Sequence, residues 1–212
     1  MSQCCELGDI LEDDRRPKLY ITDNFFVTPP LGSIGIDGYV LIISKDHYSG
    51  IGDIPEEYHK ELDSVVQTTK KVLQDQYGLL SLVFEHGPKV CSFRGGGCFD
   101  HAHLHIVPGI EIIDDLAVDL MKRLEFTRQF YRVDRVEGFK RMTEIYQEGR
   151  SSYLFVESPS SQRIVSEVNF FIPSQYLRQM IAFKIGTHTW DWRQHPHLET
   201  MERTIERLQG KF

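Results

Sequence analysis

Three histidines at alternate positions, His101, His103 and His105, are the feature that most constrains this chain. Successive side chains of a β-strand point to opposite faces, so these imidazoles would share one face of a sheet. The residues between and after them are small or aliphatic and would face the core: Ala102, Leu104 and Ile106. A glycine run at 95–97 precedes the strand and allows close approach of the backbone to a ligand.

The residues alone leave three interpretations of this strand. In the first, the histidines are exposed on a half-buried strand and have no chemical role. In the second they bind a metal, because imidazole is the commonest metal ligand and Asp100 supplies a neighbouring carboxylate. In the third, one imidazole is a nucleophile and its neighbours hold a phosphate group.

The stretch from His101 to Val107 resembles the His-x-His-x-His-x-x motif, with apolar x, of the histidine-triad (HIT) superfamily of nucleotide hydrolases and transferases. The upstream sequence extends the resemblance with a strand at 25–27, a Pro-Leu-Gly turn at 30–32, a strand at 38–43 and a Lys-x-His at 45–47. The likeness covers roughly the first 110 residues. It implies an α+β fold with a HIT-like antiparallel sheet and a packed helix.

The resemblance also implies a chemistry that favours the third interpretation. His103 takes the position of the nucleophile, His105 that of a donor to the α-phosphate oxygens, and His101 that of a residue that orients the site. We expect a nucleotide-conjugate hydrolase that forms a covalent nucleotidyl-histidine and releases a nucleoside monophosphate. The alternatives are a nucleotidyltransferase of the same mechanism and a nucleotide-binding protein without turnover.

The sequence departs from the HIT pattern beside the triad. Glu85-His86-Gly87 stands where many HIT proteins have an asparagine-glycine type pair, and the common glutamine-serine pair falls near Cys98 and Asp100. A carboxylate at 100 would repel phosphate, so we expect it to orient an imidazole instead. His86 either assists at the site or belongs to a simple turn. The expected substrate-binding residues are His86, Gly87, Gly97, Cys98, Asp100 and Arg178.

The resemblance raises the question of a structural zinc. HIT proteins often begin with Cys-x-x-Cys, which binds zinc together with two histidines, a set suited to a closed tetrahedral site. Here the two cysteines are adjacent, at positions 4 and 5. The candidate ligands are Cys5, His47 and His101; the alternative is free thiols and an exposed loop histidine. The expected reaction itself requires no cofactor.

Composition limits the other function classes. The chain has 212 residues with 41 % hydrophobic and 26 % charged content, as in an ordinary globular protein. No apolar run approaches the ~18 residues of a membrane span. The first residues lack a secretory pattern, and the four cysteines do not resemble a disulfide framework, so we expect a cytoplasmic protein. Residues 1–119 carry a net charge of −11, which makes general nucleic-acid binding unexpected.

The sequence predicts a HIT-like catalytic domain at 1–115 and a C-terminal extension at 116–212. Apolar spacing predicts a helix over Pro55–Tyr77, packed on the sheet. The extension is predicted to be mainly helical, with a hairpin of strands at 153–156 and 168–172. It shows no linker or repeat, so we expect it to pack on the HIT core.

The extension supplies the candidate cations. Residues 120–212 carry a net charge of +4, and Arg178 lies near the start of a predicted helix, a natural anion site. It is expected either to face a phosphate or to form an ordinary surface salt bridge. The expected partner is a small nucleotide conjugate. HIT proteins usually pair, so we also expect a homodimer, although the extension could cover that surface.

Overall fold

A computed structural model describes residues 17–87, 101–122, 130–147, 151–168, 172–173 and 175–212. The described strands form one antiparallel eight-stranded sheet in the order β1-β2-β3-β5-β4-β7-β8-β6. Their bounds are β1 Tyr20–Ile21, β2 Phe25–Thr28, β3 Val40–Ser44, β4 Ser81–Gly87, β5 His103–Pro108, β6 Phe130–Val133, β7 Ser152–Glu157 and β8 Arg163–Val168. The triad strand β5 lies inside the sheet between β3 and β4.

Five α-helices are described: α1 His59–Tyr77, α2 Ile113–Lys122, α3 Arg135–Gln147, α4 Tyr176–Lys184 and α5 Leu198–Leu208. The predicted Pro55–Tyr77 helix is present from residue 59, after a 3₁₀ turn at Glu56–Tyr58, and it ends at Gly78 with φ at 70°. The α+β class is therefore confirmed. Within the described ranges, no helix combines the length and apolarity that a membrane crossing requires.

The sheet separates two hydrophobic cores. On one face, here called the α1 face, buried residues of α1 and α3 pack on alternate residues of the strands, Leu104 and Ile106 of β5 among them. On the other, here called the triad face, α2 and α4 pack over the complementary set, with Leu41 and Phe84 beside the triad strand. The alternation predicted for residues 101–106 is therefore present, with the apolar set toward α1.

The C-terminal extension continues the sheet. β7 pairs with β4 along five registered residue pairs, from Val83 opposite Glu157 to Gly87 opposite Tyr153. The predicted hairpin is present, and its second described strand is Arg163–Val168, earlier in the chain than the predicted 168–172. The apolar residues at 170 and 171, which suggested the later strand, lie outside the described residues. The strands of residues 116–212 thus belong to the same sheet as those that precede them.

A buried ion pair joins the two strands of the hairpin. The Nε of Arg163 donates to Oε2 of Glu157 at 2.6 Å, and Lys70 of α1 binds the other carboxylate oxygen. The side chains of Arg163 and Glu157 are buried. The carboxylate therefore binds two cations and links α1 to the hairpin. Removal of one partner would leave a buried charge uncompensated and would lower the free energy of unfolding.

A second buried carboxyl group holds the loop before α1. Glu85 is 2 % exposed and faces the α1 side of the sheet. It accepts hydrogen bonds from the Ile51 N–H at 2.8 Å and the Tyr153 hydroxyl at 2.6 Å, and the Gly52 N–H donates to that hydroxyl at 2.8 Å. Burial is the largest cause that raises the pKa of Glu85, from 4.5 to about 8.

We predict that this carboxyl group makes the stability of the fold depend on pH. Because its folded pKa lies above its unfolded value, the folded state binds more protons, and the free energy of unfolding should fall as pH rises from about 4.5 to about 8. Glu85→Gln should flatten that slope in urea unfolding curves measured across the interval. Exposed Glu206→Gln is the control. Parallel pH slopes in wild type and Glu85→Gln would contradict the assignment.

Candidate active site

The triad histidines lie on the triad face, opposite the inner residues of β3. In register, His103 is opposite Ile43 and His105 is opposite Leu41. His101 is buried two residues before β5, while His103 and His105 are half-buried. The structure thus brings the three predicted histidines together on one face.

A backbone carbonyl fixes the hydrogen on His103. Its Nδ1 lies 3.1 Å from the carbonyl oxygen of His101. A carbonyl oxygen only accepts, so Nδ1 carries the hydrogen, and the neutral ring then has its lone pair at Nε2. Burial is the largest cause that lowers the pKa of His103, and the charges of Arg178 and His101 lower it further against the opposing hydrogen bond. His103 is therefore a neutral imidazole at pH 7.

Two aromatic neighbours hold the ring of His105. It stacks on Phe84 with centroids 4.4 Å apart and planes 1° from parallel. Its Nδ1 lies 2.6 Å from the hydroxyl of Tyr39. Burial is the largest cause that lowers the pKa of His105 well below 6.5, followed by repulsion from His103 in its protonated form, from Arg178, and from His86 in its protonated form. This imidazole is also neutral at pH 7.

Arg178 reaches the site from the first turn of α4. Its side chain is buried, and its Nε and Nη2 donate to the carbonyl oxygen of Trp190 at 3.2 and 3.0 Å. Nη2 also donates to the carbonyl of Gly32, and Nη1 donates to the Tyr39 hydroxyl at 3.3 Å. These partners are carbonyls and a hydroxyl, so the guanidinium adds positive charge beside the triad.

The Pro-Leu-Gly turn explains how the extension approaches so closely. Gly32 has φ at +68°, and a Cβ built there would lie 2.3 Å from Cβ of Trp192. Its N–H donates to the Pro196 carbonyl at 2.7 Å. Only glycine adopts this conformation and leaves room for the loop at 186–197, which positions the carbonyl that binds Arg178.

His86 and Gly87 lie at the end of β4 on opposite faces. His86 shares the triad face, is half-buried, and has its pKa lowered from 6.5 to about 4 by burial. Gly87 pairs with Tyr153 on the other face, where a Cβ would meet the tyrosine ring at 2.2 Å. The structure therefore places His86 near His105 and gives Gly87 a packing role beneath Tyr153.

Two of the predicted zinc ligands lie together. The rings of His47 and His101 have centroids 4.3 Å apart, and Nδ1 of His101 donates to the Ser44 carbonyl at 2.8 Å. The third, Cys5, lies outside the described residues. Within those residues no group of three or more metal-binding side chains occurs. The imidazole pair suits zinc, and the complete ligand set stays a prediction.

Three further predicted residues, Gly97, Cys98 and Asp100, also lie outside the described part of the chain. The sequence analysis gave no site role to Tyr39, which falls in the strand predicted at 38–43, or to Phe84. Both contact His105 because β3 and β4 flank β5. Strand order was the missing information, since alternation within each strand says nothing about which strands are neighbours.

No protein-family model and no curated sequence matches the chain. A comparison with solved structures does find similar proteins. A hypothetical histidine triad nucleotide-binding protein from Sulfolobus tokodaii is 20 % identical, with a TM-score of 0.41, over 50 % of this chain and 68 % of that one. A HIT-family member from Bacillus subtilis is 18 % identical, with a TM-score of 0.42, over 57 % and 98 %. Yeast Ap4A phosphorylase, solved in complex with Ap4A, is 12 % identical, with a TM-score of 0.42, over 89 % and 74 %.

We predict that His103 and His105 both titrate below pH 6.5, because burial disfavours the imidazolium form of each. Long-range ¹H–¹⁵N NMR spectra recorded from pH 4 to 8 would follow both rings. His103→Gln and His105→Gln spectra would assign the resonances. Titration of either ring at or above 6.5 would contradict the neutral site.

Proposed function

We propose that this protein is a nucleotide-conjugate hydrolase that acts at the α-phosphate through a covalent nucleotidyl-histidine and releases a nucleoside monophosphate. The observation that carries the proposal is the hydrogen bond, 3.1 Å long, that Nδ1 of His103 donates to the carbonyl oxygen of His101. It leaves the lone pair of a neutral imidazole at Nε2, the form that attacks an anionic phosphate without adding negative charge.

The proposed reaction has two displacements. In the first, Nε2 of His103 forms a bond to the α-phosphorus while the bond from phosphorus to the leaving group breaks, and the leaving group takes a proton from solvent. In the second, water attacks the phosphorus and gives up a proton to solvent, the N–P bond breaks, and His103 returns to its neutral form. His105 donates to the non-bridging oxygens as their charge develops, and His101 holds His103 through its carbonyl.

The charge around the triad supports an anionic substrate. The buried guanidinium of Arg178 acts on both His103 and His105, lowering the pKa of each. We therefore propose that Arg178 attracts the phosphate through its charge, while its Nη1 and Nη2 groups donate to the Tyr39 hydroxyl and to two carbonyls. The other substrate-binding residues of the proposal are His86, Gly87, Gly97, Cys98 and Asp100, of which the last three lie outside the described residues.

We propose that any zinc is structural, bound by Cys5, His47 and His101. When bound, it would cross-link the chain near the first triad histidine, and no chemical step is assigned to it. The two imidazoles 4.3 Å apart support this part of the proposal.

A transferase of the same mechanism is the second candidate, because the same nucleotidyl-histidine can react with a phosphate or sugar phosphate instead of water. Incubation with labelled dinucleoside polyphosphates, nucleotide sugars and nucleoside phosphoramidates would separate the two. Release of monophosphate in water alone identifies a hydrolase, and release that requires an added acceptor identifies a transferase. Binding without an acid-labile label on the protein would identify a binding protein.

We predict that His103→Ala lowers turnover by several orders of magnitude, because it removes the attacking nitrogen. The fold and ligand binding should stay largely intact. His105→Ala should slow the reaction about 10²–10³-fold, as for the loss of one donor to a developing charge. Turnover of the substrate found above and binding by calorimetry would measure both effects. His188→Ala, on an exposed loop, is the control.

A metal-based mechanism makes the opposite prediction for chelation. Under the covalent route, wild-type turnover survives a chelator and is lost in His103→Ala. Near-normal rates in His103→Ala would overturn the covalent proposal. Loss of wild-type activity with a chelator and its return with metal would also overturn it, provided that circular dichroism shows the chelated protein to keep its fold, because removal of a structural zinc alone would act through the fold.

A further inference from the structure

A line of hydrogen bonds from the C-terminal extension ends at the third triad histidine. Nη1 of Arg178 lies 3.3 Å from the hydroxyl of Tyr39, and that hydroxyl lies 2.6 Å from Nδ1 of His105. Tyr39 is fully buried and Arg178 is 5 % exposed. The three residues come from α4, the residue before β3, and β5, so only the folded chain brings them together.

The chemistry of the three groups favours one direction for these bonds. A guanidinium has only donors, so the Tyr39 oxygen accepts from Arg178. The hydroxyl has one hydrogen, and among the described residues the acceptor that it contacts is Nδ1 of His105. Burial raises the pKa of Tyr39 to about 12, so the hydroxyl keeps this hydrogen at neutral pH. The hydrogen of Tyr39 therefore points to His105.

We infer that Tyr39 and Arg178 are positioning residues that hold His105 in the tautomer with its hydrogen on Nε2. A neutral imidazole whose Nδ1 accepts a hydrogen bond carries its hydrogen on Nε2. His103 has the opposite tautomer, with its hydrogen on Nδ1. The two rings, 5.0 Å apart, thus differ in character, with a lone pair at Nε2 of His103 and a donor at Nε2 of His105.

The hydrogen bonds from Arg178 through Tyr39 to His105, here called the relay, are held in place by their surroundings. Phe84 fixes the plane of the His105 ring by parallel stacking at 4.4 Å. The carbonyls of Gly32 and Trp190 fix the guanidinium of Arg178, which also lies 5.8 Å from the centre of the Tyr39 ring. The extension therefore takes part in the site by determining which nitrogen of His105 donates. The catalytic value of that donor rests on the proposed function, whereas the tautomer does not.

The tautomer is tested directly by ¹⁵N NMR of the full chain, which distinguishes protonated from unprotonated ring nitrogens. We expect wild-type His105 to carry its hydrogen on Nε2 at pH 7.5 and Tyr39→Phe to show a mixture of tautomers, because the ring is kept and the hydroxyl is lost. Tyr20→Phe is the matched control, since Tyr20 stacks on Phe212 at the sheet edge. A wild-type hydrogen on Nδ1, or an unchanged tautomer in Tyr39→Phe, overturns the inference.

The consequence for catalysis is tested on the substrate found for the wild type. Tyr39→Phe should lower kcat about 10- to 100-fold, as for the loss of a residue that orients a catalytic group, with a smaller change in KM. Tyr20→Phe should keep the wild-type kcat. Wild-type kcat in Tyr39→Phe, with a shifted tautomer, would show that the relay does not serve the reaction.

Arg178→Lys keeps the inference testable if Tyr39→Phe fails to fold. Lysine retains the positive charge but not the planar set of donors, so Tyr39 loses its fixed donor and the second tautomer of His105 should appear. A wild-type tautomer in Arg178→Lys overturns the part of Arg178. If the tautomer shifts as expected while the wild type turns over no nucleotide conjugate, the proposed function fails and the relay stands.

Discussion

The pairing of β5 with β3 and β4 is the constraint on which the rest of this structure depends. β5 is paired on both sides, so its side chains alternate between the two faces of the sheet. Its aliphatic side chains fill the core under α1. The histidines are then held on the opposite face by a backbone that cannot slip by one residue without burying them under α1. Their common orientation is therefore a result of hydrophobic burial on the far side of the sheet.

The triad face is not an open surface, and this determines its electrostatics. α2 and α4 cover it, so His103 and His105 lie in surroundings that disfavour a charged ring. The buried charge of Arg178 acts in the same direction. Keeping an ion out of water costs on the order of several kcal/mol, and carbonyl oxygens and a hydroxyl offset that cost for Arg178 without neutralising it. Within the described residues, neutral imidazoles thus lie beside the positive charge of Arg178.

The C-terminal extension contributes to both the sheet and the site. Its β7 continues the sheet beyond β4, and its α4 covers the triad face and provides Arg178. The contact depends on Gly32, where a side chain would collide with Trp192. The glycine of the Pro-Leu-Gly turn thus has a steric reason to be there that arises from a segment about 160 residues away.

The sequence by itself determined the strand with its three histidines, the helix before β4, the α+β class and the likeness to the HIT superfamily. Each follows from local periodicity or from a motif within one element, and local patterns survive without knowledge of the partners. The tertiary structure decided which strands flank β5, and with them the contacts of Tyr39 and Phe84 to His105. It also gave the hairpin its strand at Arg163–Val168 and packed the Tyr153 ring against the backbone of Gly87. These features depend on pairing between distant segments, and the sequence pattern of one strand does not specify its neighbour.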